Sequence, residues 1–412
     1  MSTSMSAERG ATVCRLPNLR HLRAIRMVAD LGSVNQAASA MNLSQPAVTQ
    51  AIGRLEQDFG AELFKRHPTG MYLTDAGRIV LSRVKRLFGE LDRAVAALGV
   101  VFRGAQADPG VDILLKAVQL DSMAALLYAS RLDEGAAALG ITQAAFKRNI
   151  NTLEARLDMV LAFRDGPQIR LTRAGEALAR AARLAQREIE LARDELASAS
   201  GRLRGRLSVG ALPLARTYIV PKALIRLGMR NPEVSLRLVE GSYETLLTAL
   251  RNGDIDVLVG TLREPAPVEG IVETPLFEDR LCVVGRAGHP LDTGAVPEFG
   301  DIVSFPWIAP RLGSPARREF DLIFGQGKRR PPQVFEVASH MSVRAILRES
   351  DSLALISRCQ MRYEERDGQL VALSDALSKR TRVIGYALRA EAARTRLQSE
   401  FLDDLAQVVA EA

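Results

Sequence analysis

A chain of 412 residues, 47% apolar and 25% charged, has the composition of a globular protein long enough for about three domains, each with its own core. Its three widely spaced cysteines, Cys14, Cys282 and Cys359, argue against a disulfide framework or a zinc site and fit a reducing cytosol. Residues 1–17 lack the apolar core of a signal peptide, and no run of about 18 apolar residues occurs, so the expected location is the cytoplasm, with no membrane partner. The net charge of +7 is unevenly spread: residues 1–104 hold 14 Lys and Arg against 8 Asp and Glu, residues 105–205 hold 14 against 13, and residues 206–412 hold 27 against 27. A positive field confined to the first quarter suits a module that meets phosphates.

The first element begins at Asn18, where NLRHLRAIRMVADLG sets Leu22, Ile25 and Val28 with Ala29 at helical spacing before Gly32 ends the helix. Ser33 caps a short second helix, VNQAASAM, whose Ala37, Ala38 and Ala40 are small enough for close packing. Asn42 and Leu43 form a tight turn, Ser44 caps a third helix, and Pro46 lies in its first turn, where a missing N–H costs little. On that helix Val48, Ile52 and Leu55 point inward, so Gln45, Thr49, Gln50 and Arg54 face out. Such a helix fits the major groove, where Gln pairs with adenine N6 and N7 and Thr meets a base edge or a thymine methyl. AELFKRHPTGMYLTDAG reads as a two-stranded wing with its turn at Pro68 to Gly70, carrying Lys65, Arg66 and His67 toward phosphate or the minor groove.

Thr74 caps the next helix, Asp75 to Leu98, on which Val80, Val84, Leu87, Leu91, Ala94 and Leu98 follow a 4-3-4-3-4 spacing. That is a coiled-coil seam and implies dimerisation, the alternative being packing on its own domain. Two heads joined this way would take a roughly palindromic site. AASAMNLSQPAVTQAIGRLEQDFGAELFKR followed by LTDAG resembles the N-terminal winged helix-turn-helix of the LysR-type transcriptional regulators over about 60 positions. The resemblance implies a DNA interface at Ser33, Gln45, Pro46, Thr49 and Gln50, with Arg66 in the wing. Ser44, Arg54 and Lys65 complete the candidate contacts. Gln50 stands where the family usually has arginine.

Residues 99–112, GVVFRGAQADPGVD, read as a linker into a repeat. Ala37 to Gly77 slides onto Gly135 to Gly175 without a gap, 98 residues further on, with identities that include Gln45/Gln143, Ile52/Ile150, Leu55/Leu153, Glu56/Glu154, Thr74/Thr172 and Gly77/Gly175. The outward positions change: Ser33 becomes Arg131, Pro46 becomes Ala144, Thr49 becomes Lys147 and Gln50 becomes Arg148, the residue the family usually carries there. Asp133 and Glu134 open the second helix of this copy, where like charge would weaken phosphate binding. Two readings stay open, a second DNA reader using Lys147 and Arg148, or a degenerate module kept for pairing. The seam returns as Leu178, Ala182, Ala185, Ile189, Ala192 and Leu196, so the two copies are expected to imitate the family's dimer within one chain.

From Gly205 strands and helices alternate. RLSVGAL, VSLRLVEG and IDVLVGTL read as strands around helices at Tyr218 to Leu227 and YETLLTALRNG; LCVVGR, Pro306 to Ala309, VFEVAS and LALIS form a second set around helices at Pro315 to Phe324 and MSVRAILRES. Alternation of this type predicts parallel sheets covered by helices. RLSVGALPL, NPEVSLRLVEG and LRNGDIDVLVG are similar to the family's effector domain, two α/β lobes like those of periplasmic solute-binding proteins. In such lobes ligands bind at strand C-termini, which selects Leu212, Pro213, Leu214, Thr261, Gly313, Ser314, Ser339 and His340. Sugar derivatives, aromatic acids and other small metabolites are all open.

The expected architecture is α plus α/β: a winged helix-turn-helix over residues 16–74 with a linker helix over 75–100, a divergent second copy over 113–172 with its linker helix over 173–200, and a two-lobed effector domain over 205–412. His21, His67, His289 and His340 form no metal spacing, and no GxSxG, P-loop or GxGxxG stretch occurs, so neither an enzyme nor a metal or cofactor site is expected. The expected partners are double-stranded DNA, a small-molecule effector, further copies of the chain as dimer or tetramer, and RNA polymerase. The competing reading is a cytoplasmic small-molecule-binding protein whose N-terminal modules serve oligomerisation only.

Overall fold

The structure, a computed structural model, describes residues 14–68, 70–99, 114–198, 201–263, 268–325, 330–375, 377 and 380–411. Thr69 of the wing turn and, past Gly99, the linker expected over 99–112 lie outside the described residues. Two units divide the chain, residues 1–206 with 233–235, and residues 207–232 with 236–412.

In the first unit, α1 (Leu19–Leu31) is capped by the Asn18 side chain and stopped by Gly32 at φ 65°. α2 (Val34–Ala40) and α3 (Gln45–Phe59) start at Ser33 and Ser44, whose hydroxyls accept the amides of Gln36 and Ala47 at 3.4 Å each. Asn42 makes the turn between them in the left-handed region, at φ 53°, which asparagine tolerates. β1 (Phe64–His67) and β2 (Gly70–Leu73) pair antiparallel as the wing, and α4 (Asp75–Ala97) follows under the Thr74 cap. The second copy repeats the order as α5 (Ala117–Leu126), α6 (Leu132–Ala138), α7 (Gln143–Leu157), β3 (Ala162–Asp165), β4 (Gln168–Leu171) and α8 (Arg173–Ser198).

Residues identical between the copies form the frame. Glu56 Oε1 accepts the amides of Leu63 at 2.9 Å and Phe64 at 3.4 Å, and Glu154 Oε1 accepts those of Leu161 at 2.8 Å and Ala162 at 3.1 Å. A Cβ on Gly77 would sit 2.0 Å from the Leu63 carbonyl oxygen, and one on Gly175 would sit 1.9 Å from that of Leu161, so both long helices cross their wings at a distance only glycine allows. The wing is tied to the residue just before the second helix's cap in both copies, Met71 N–H to Gly32 O at 3.0 Å and Ile169 N–H to Ser130 O at 2.9 Å.

α4 and α8 pack against each other. Val80, Val84, Leu87 and Leu91 of α4 and Leu178, Ala182, Ala185, Ile189 and Ala192 of α8 are all fully buried, and one apolar core runs through both copies. The seam read from the sequence thus meets its counterpart in the same chain. Its last turn differs from the expected spacing, because Val95 is buried while Ala94 is only half-buried. An α-helix of 3.6 residues per turn drifts off a 3.5-residue repeat, and the stripe follows the helix.

The second unit holds two five-stranded sheets. The first, in the order β6-β5-β7-β14-β8, uses β5 (Gly205–Ala211), β6 (Val234–Glu240), β7 (Val257–Thr261), β8 (Ile271–Asp279) and β14 (Arg382–Arg389), with α9 (Ile219–Arg230), α10 (Tyr243–Asn252) and α15 (Arg396–Ala410). The second, in the order β11-β10-β12-β9-β13, uses β9 (Leu281–Arg286), β10 (Trp307–Ala309), β11 (Val334–Glu336), β12 (Leu353–Ser357) and β13 (Leu370–Ser374), with α11 (Phe299–Ile302), α12 (Pro315–Phe324), α13 (His340–Glu349) and α14 (Arg362–Arg366). Apolar clusters cover both faces of the second sheet, one around the fully buried Trp307 and the other around Ile308 and Leu347.

The expectation of parallel sheets is corrected. β5 and β7 are parallel, as are β10 with β11 and β12, but β14 runs antiparallel to β7 and β8, and β9 runs antiparallel to β12 and β13. The reason lies in the connections: β8 passes directly into β9 of the other sheet through Arg280, with no crossover helix to restore a parallel sense.

Candidate nucleic-acid interface and effector cavity

The third helix of copy one separates its two faces as the spacing requires. Val48, Ile52 and Leu55 are buried, whereas Ser44, Gln45, Pro46, Thr49, Gln50 and Arg54 are exposed. Lys65, Arg66 and His67 are exposed on β1, and Ser33 is half-buried under its own cap hydrogen bond. Between α3 and the wing lies a groove of about 600 Å³ whose lining includes Thr49, Gly53, Lys65 and Arg66. The exposed set is polar and cationic, Glu56 and Glu62 also line the groove, and no acid lies in the first turn of α2 or α3, which suits an anion at those helix starts.

Copy two has the same scaffold with a different surface. Gln143, Ala144, Lys147 and Arg148 are exposed on α7. The start of α6 is closed by its own acids: Glu134 Oε2 accepts the amides of Ser130 at 2.8 Å and Arg131 at 3.2 Å, and Arg131 Nε donates to Asp133 at 2.9 Å. Hydrogen bonding from Arg131 holds the Asp133 carboxyl below the usual carboxylate range.

In the second unit a cavity of about 670 Å³ opens between the two sheets. Of the candidates chosen from strand ends, Leu212, Pro213, Leu214, Thr261, Gly313, Ser314 and His340 line it. Ser339 is exposed and is not among the lining residues. α10, α12 and α13 begin at the rim, which places Ser242, Ser314 and His340 in the lining and turns three helix N-termini toward it. Burial pushes the His340 imidazole below its ordinary pKa, and Arg344 and Arg216 add to that effect while Glu364 opposes it, so the neutral ring is favoured.

The sequence reading missed the cavity's charged residues, Arg216, Arg263, Arg311 and Arg382 against Glu240 and Glu244. Arg216 is paired with Glu240 at 2.9 Å, Arg382 with Asp279, and Arg263 lies 4.3 Å over the Tyr243 ring. The Tyr243 hydroxyl is buried without a hydrogen-bond partner, and burial, reinforced by Glu273, pushes its pKa up to about 12. These side chains come from β6, β14, the first turn of α10 and loops far apart in the chain, so no local motif announces them. A search for arginines just past strand ends would have found Arg263, two residues after β7.

The model of the bacterial regulatory helix-turn-helix protein of the lysR family matches residues 19–78 and again 118–176, and the LysR substrate binding domain matches residues 200–410. The chain belongs to the LysR family of transcriptional regulators, which bind DNA through the helix-turn-helix and an effector through the C-terminal domain, and are not enzymes. It is 34% identical over 397 residues to the HTH-type transcriptional regulator GalR of Pseudomonas putida, spanning 96% of this chain and 98% of that one. An alignment of that extent runs through both copies. The HTH-type transcriptional regulator PcaQ of Agrobacterium fabrum is 28% identical over 284 residues, 68% of this chain and 91% of its own. Among solved structures, ArgP from Mycobacterium tuberculosis shares the fold at a TM-score of 0.55 and 20% identity over 71% of this chain and 96% of its own. Full-length LysG from Corynebacterium glutamicum with bound effector Arg does so at 0.52 and 21% identity over 71% and 98%. Among the described residues no helix is long and apolar enough to cross a membrane, and no group of three metal-ligating side chains occurs.

Proposed function

We propose that copy one is the principal operator reader, with Gln45, Thr49 and Gln50 meeting base edges and Ser33, Ser44, Pro46, Arg54, Lys65 and Arg66 meeting or approaching the phosphates. The observation that carries this reading is the clean division of α3 into a buried Val48-Ile52-Leu55 face and an exposed Gln45-Thr49-Gln50 face. The domain limits follow: 16–74 with 75–100, 113–172 with 173–200, and 205–412. The effector is a small metabolite bearing an acid group, held by Arg263 and Arg311 with the loops at Leu212 to Leu214, Thr261 and Gly313 to Ser314. Four arginines against three carboxylates, Glu240, Glu244 and the Asp279 that pairs with Arg382, beside three helix N-termini, favour an anion over a neutral sugar. Its binding changes the packing of the lobes and, through subunit contacts in a dimer or tetramer, the bend of promoter DNA and access for RNA polymerase. The protein works in the cytoplasm.

The test is a gel-shift assay with the full chain at fixed salt. Gln45→Ala with Thr49→Ala abolishes preference for the operator over unrelated duplex while salt-dependent binding persists. Retained preference in that variant contradicts the assignment of α3.

A further inference from the structure

The seam between α4 and α8 is not the symmetric one that two identical heads would make. Arg83, 3% exposed, donates through Nη1 to Glu188 at 3.0 Å and through Nε to Glu195 at 3.1 Å. Under the 98-residue offset Arg83 answers to Ala181, Glu188 to Glu90 and Glu195 to Ala97, and Glu90 pairs with Arg93 at 2.8 Å on its own helix. In a two-fold interface residue i meets j and j meets i. Two copies of the second module would therefore set Glu188 and Glu195 against Ala181, leaving carboxylates in the seam with no cation. Two copies of the first would set Arg83 against Glu90, which already pairs with Arg93, and against Ala97 in place of a second carboxylate. Uncompensated buried charge is strongly unfavourable, so the second module is disfavoured from pairing with itself, and the unlike pairing gives Arg83 two carboxylates where a like pairing of the first module gives one that is already paired.

A second tie points the same way. The Leu16 amide donates to Asp121 Oδ1 at 3.2 Å, Gln186 Nε2 donates to the same oxygen at 2.8 Å, and the Arg15 guanidinium donates to the Leu139 carbonyl. The segment leading into copy one is thereby fastened onto α5, α8 and the end of α6 in copy two.

The two reading faces then differ at matching positions. Where copy one exposes Thr49 and Gln50, copy two exposes Lys147 and Arg148. Glutamine pairs with adenine N6 and N7, whereas arginine forks onto guanine O6 and N7 and lysine donates to the same acceptors. We propose that one chain carries a complete and asymmetric pair of DNA-reading heads, so that its operator has two unlike half-sites, with guanine under Lys147 and Arg148. This rests on the reading of α3 as the recognition helix of copy one. A silent copy two is the competing outcome.

Selection of binding sites from a random duplex pool, using the full-length protein, decides it. The selected site has two unlike halves, one of them centred on guanine. Lys147→Ala with Arg148→Ala, both exposed and outside the frame, erases the guanine half alone and weakens binding to the selected site about tenfold or more. Gln45→Ala with Thr49→Ala erases the other half. An inverted repeat with identical halves, or a site indifferent to the Lys147 and Arg148 changes, overturns the proposal. Failure to select any sequence overturns it by a different route, because it removes the reading of α3 on which the proposal stands.

Discussion

Copy one and copy two share a frame and part company at the surface. The glutamate that anchors the wing, the threonine that caps the long helix and the glycine that lets helix and wing touch are the same residue in both, and each makes the same contact. The changes on the two recognition surfaces fall where DNA, rather than the protein's own core, would be the neighbour: Ser33 to Arg131, Thr49 to Lys147, Gln50 to Arg148. The long helices differ in a third way, since Arg83 in one is answered by glutamates in the other. Duplication followed by divergence has kept what folds each head and altered what each head meets.

The comparison breaks most readily at Arg83. Arg83→Ala leaves the buried Glu188 carboxylate without its cation, and the N-terminal unit is expected to lose about 3 kcal/mol in thermal or urea unfolding of the full chain. Replacing the group together, Arg83→Met with Glu188→Leu and Glu195→Leu, recovers most of that loss, because the cost lies in unpaired charge rather than in missing contacts. An Arg83→Ala variant that unfolds with the wild type would show that the pair does not hold the copies together.

Asp121 belongs to copy two alone, copy one having Arg23 at the matching position. Burial pushes its carboxyl up to about 6, against an ordinary value of 3.8, even though Gln186, the Leu16 amide and Arg15 act in the opposite direction. A carboxyl whose pKa is higher folded than unfolded takes up a proton on folding. Stability is therefore gained as pH falls from about 6 toward 4, and above about 6 the charged form is a constant cost. Asp121→Asn is expected to stabilise the chain at pH 7.5 by about 1 to 3 kcal/mol and to flatten the melting temperature between pH 4 and 6. Melting curves at a series of pH values check this, and an unchanged slope contradicts it.

The smallest effect sharpens the contrast at the start of α6. Asp133→Asn with Glu134→Gln keeps the cap geometry but removes two negative charges from a helix N-terminus, and should tighten operator binding about two- to fivefold at low salt. Binding isotherms at two salt concentrations read it; weaker binding would place α6 away from the DNA backbone.

Much of this organisation was legible in the sequence because it depends on short-range rules. Caps such as Ser33, Ser44 and Thr74, the Gly32 stop and the 3.6-residue stripe on α4 need only a few neighbouring residues to be recognised. The repeat was legible because the frame residues survived at one register. What stayed hidden depends on distant partners. β8 carries Pro275 in its interior opposite Gly385, where the ladder slips and a Cβ would meet the Thr274 carbonyl oxygen at 2.1 Å, and both residues read locally against a strand. α15 had the signals, a Thr395–Gln398 capping box and buried Leu397, Phe401, Leu405 and Val408, but lay beyond the elements that the alternating pattern picked out. In the cavity, the strand-end rule selected lining residues such as Thr261 and Ser314, yet it could not find Arg216 or Arg382, whose places are set by pairing with Glu240 and Asp279.

The claim that α4 and α8 of one chain are each other's partners is tested most directly by a distance measurement between labels on the two helices. Ser82 and Ala197 are exposed on α4 and α8, on either side of the Arg83–Glu195 pair. Spin labels at both sites, in a chain freed of Cys14, Cys282 and Cys359 and diluted into a large excess of unlabelled protein, should give one narrow, short dipolar distance that dilution does not weaken. Loss of that distance on dilution would mean that the helices pair between chains, and the single-chain pair of heads would be wrong.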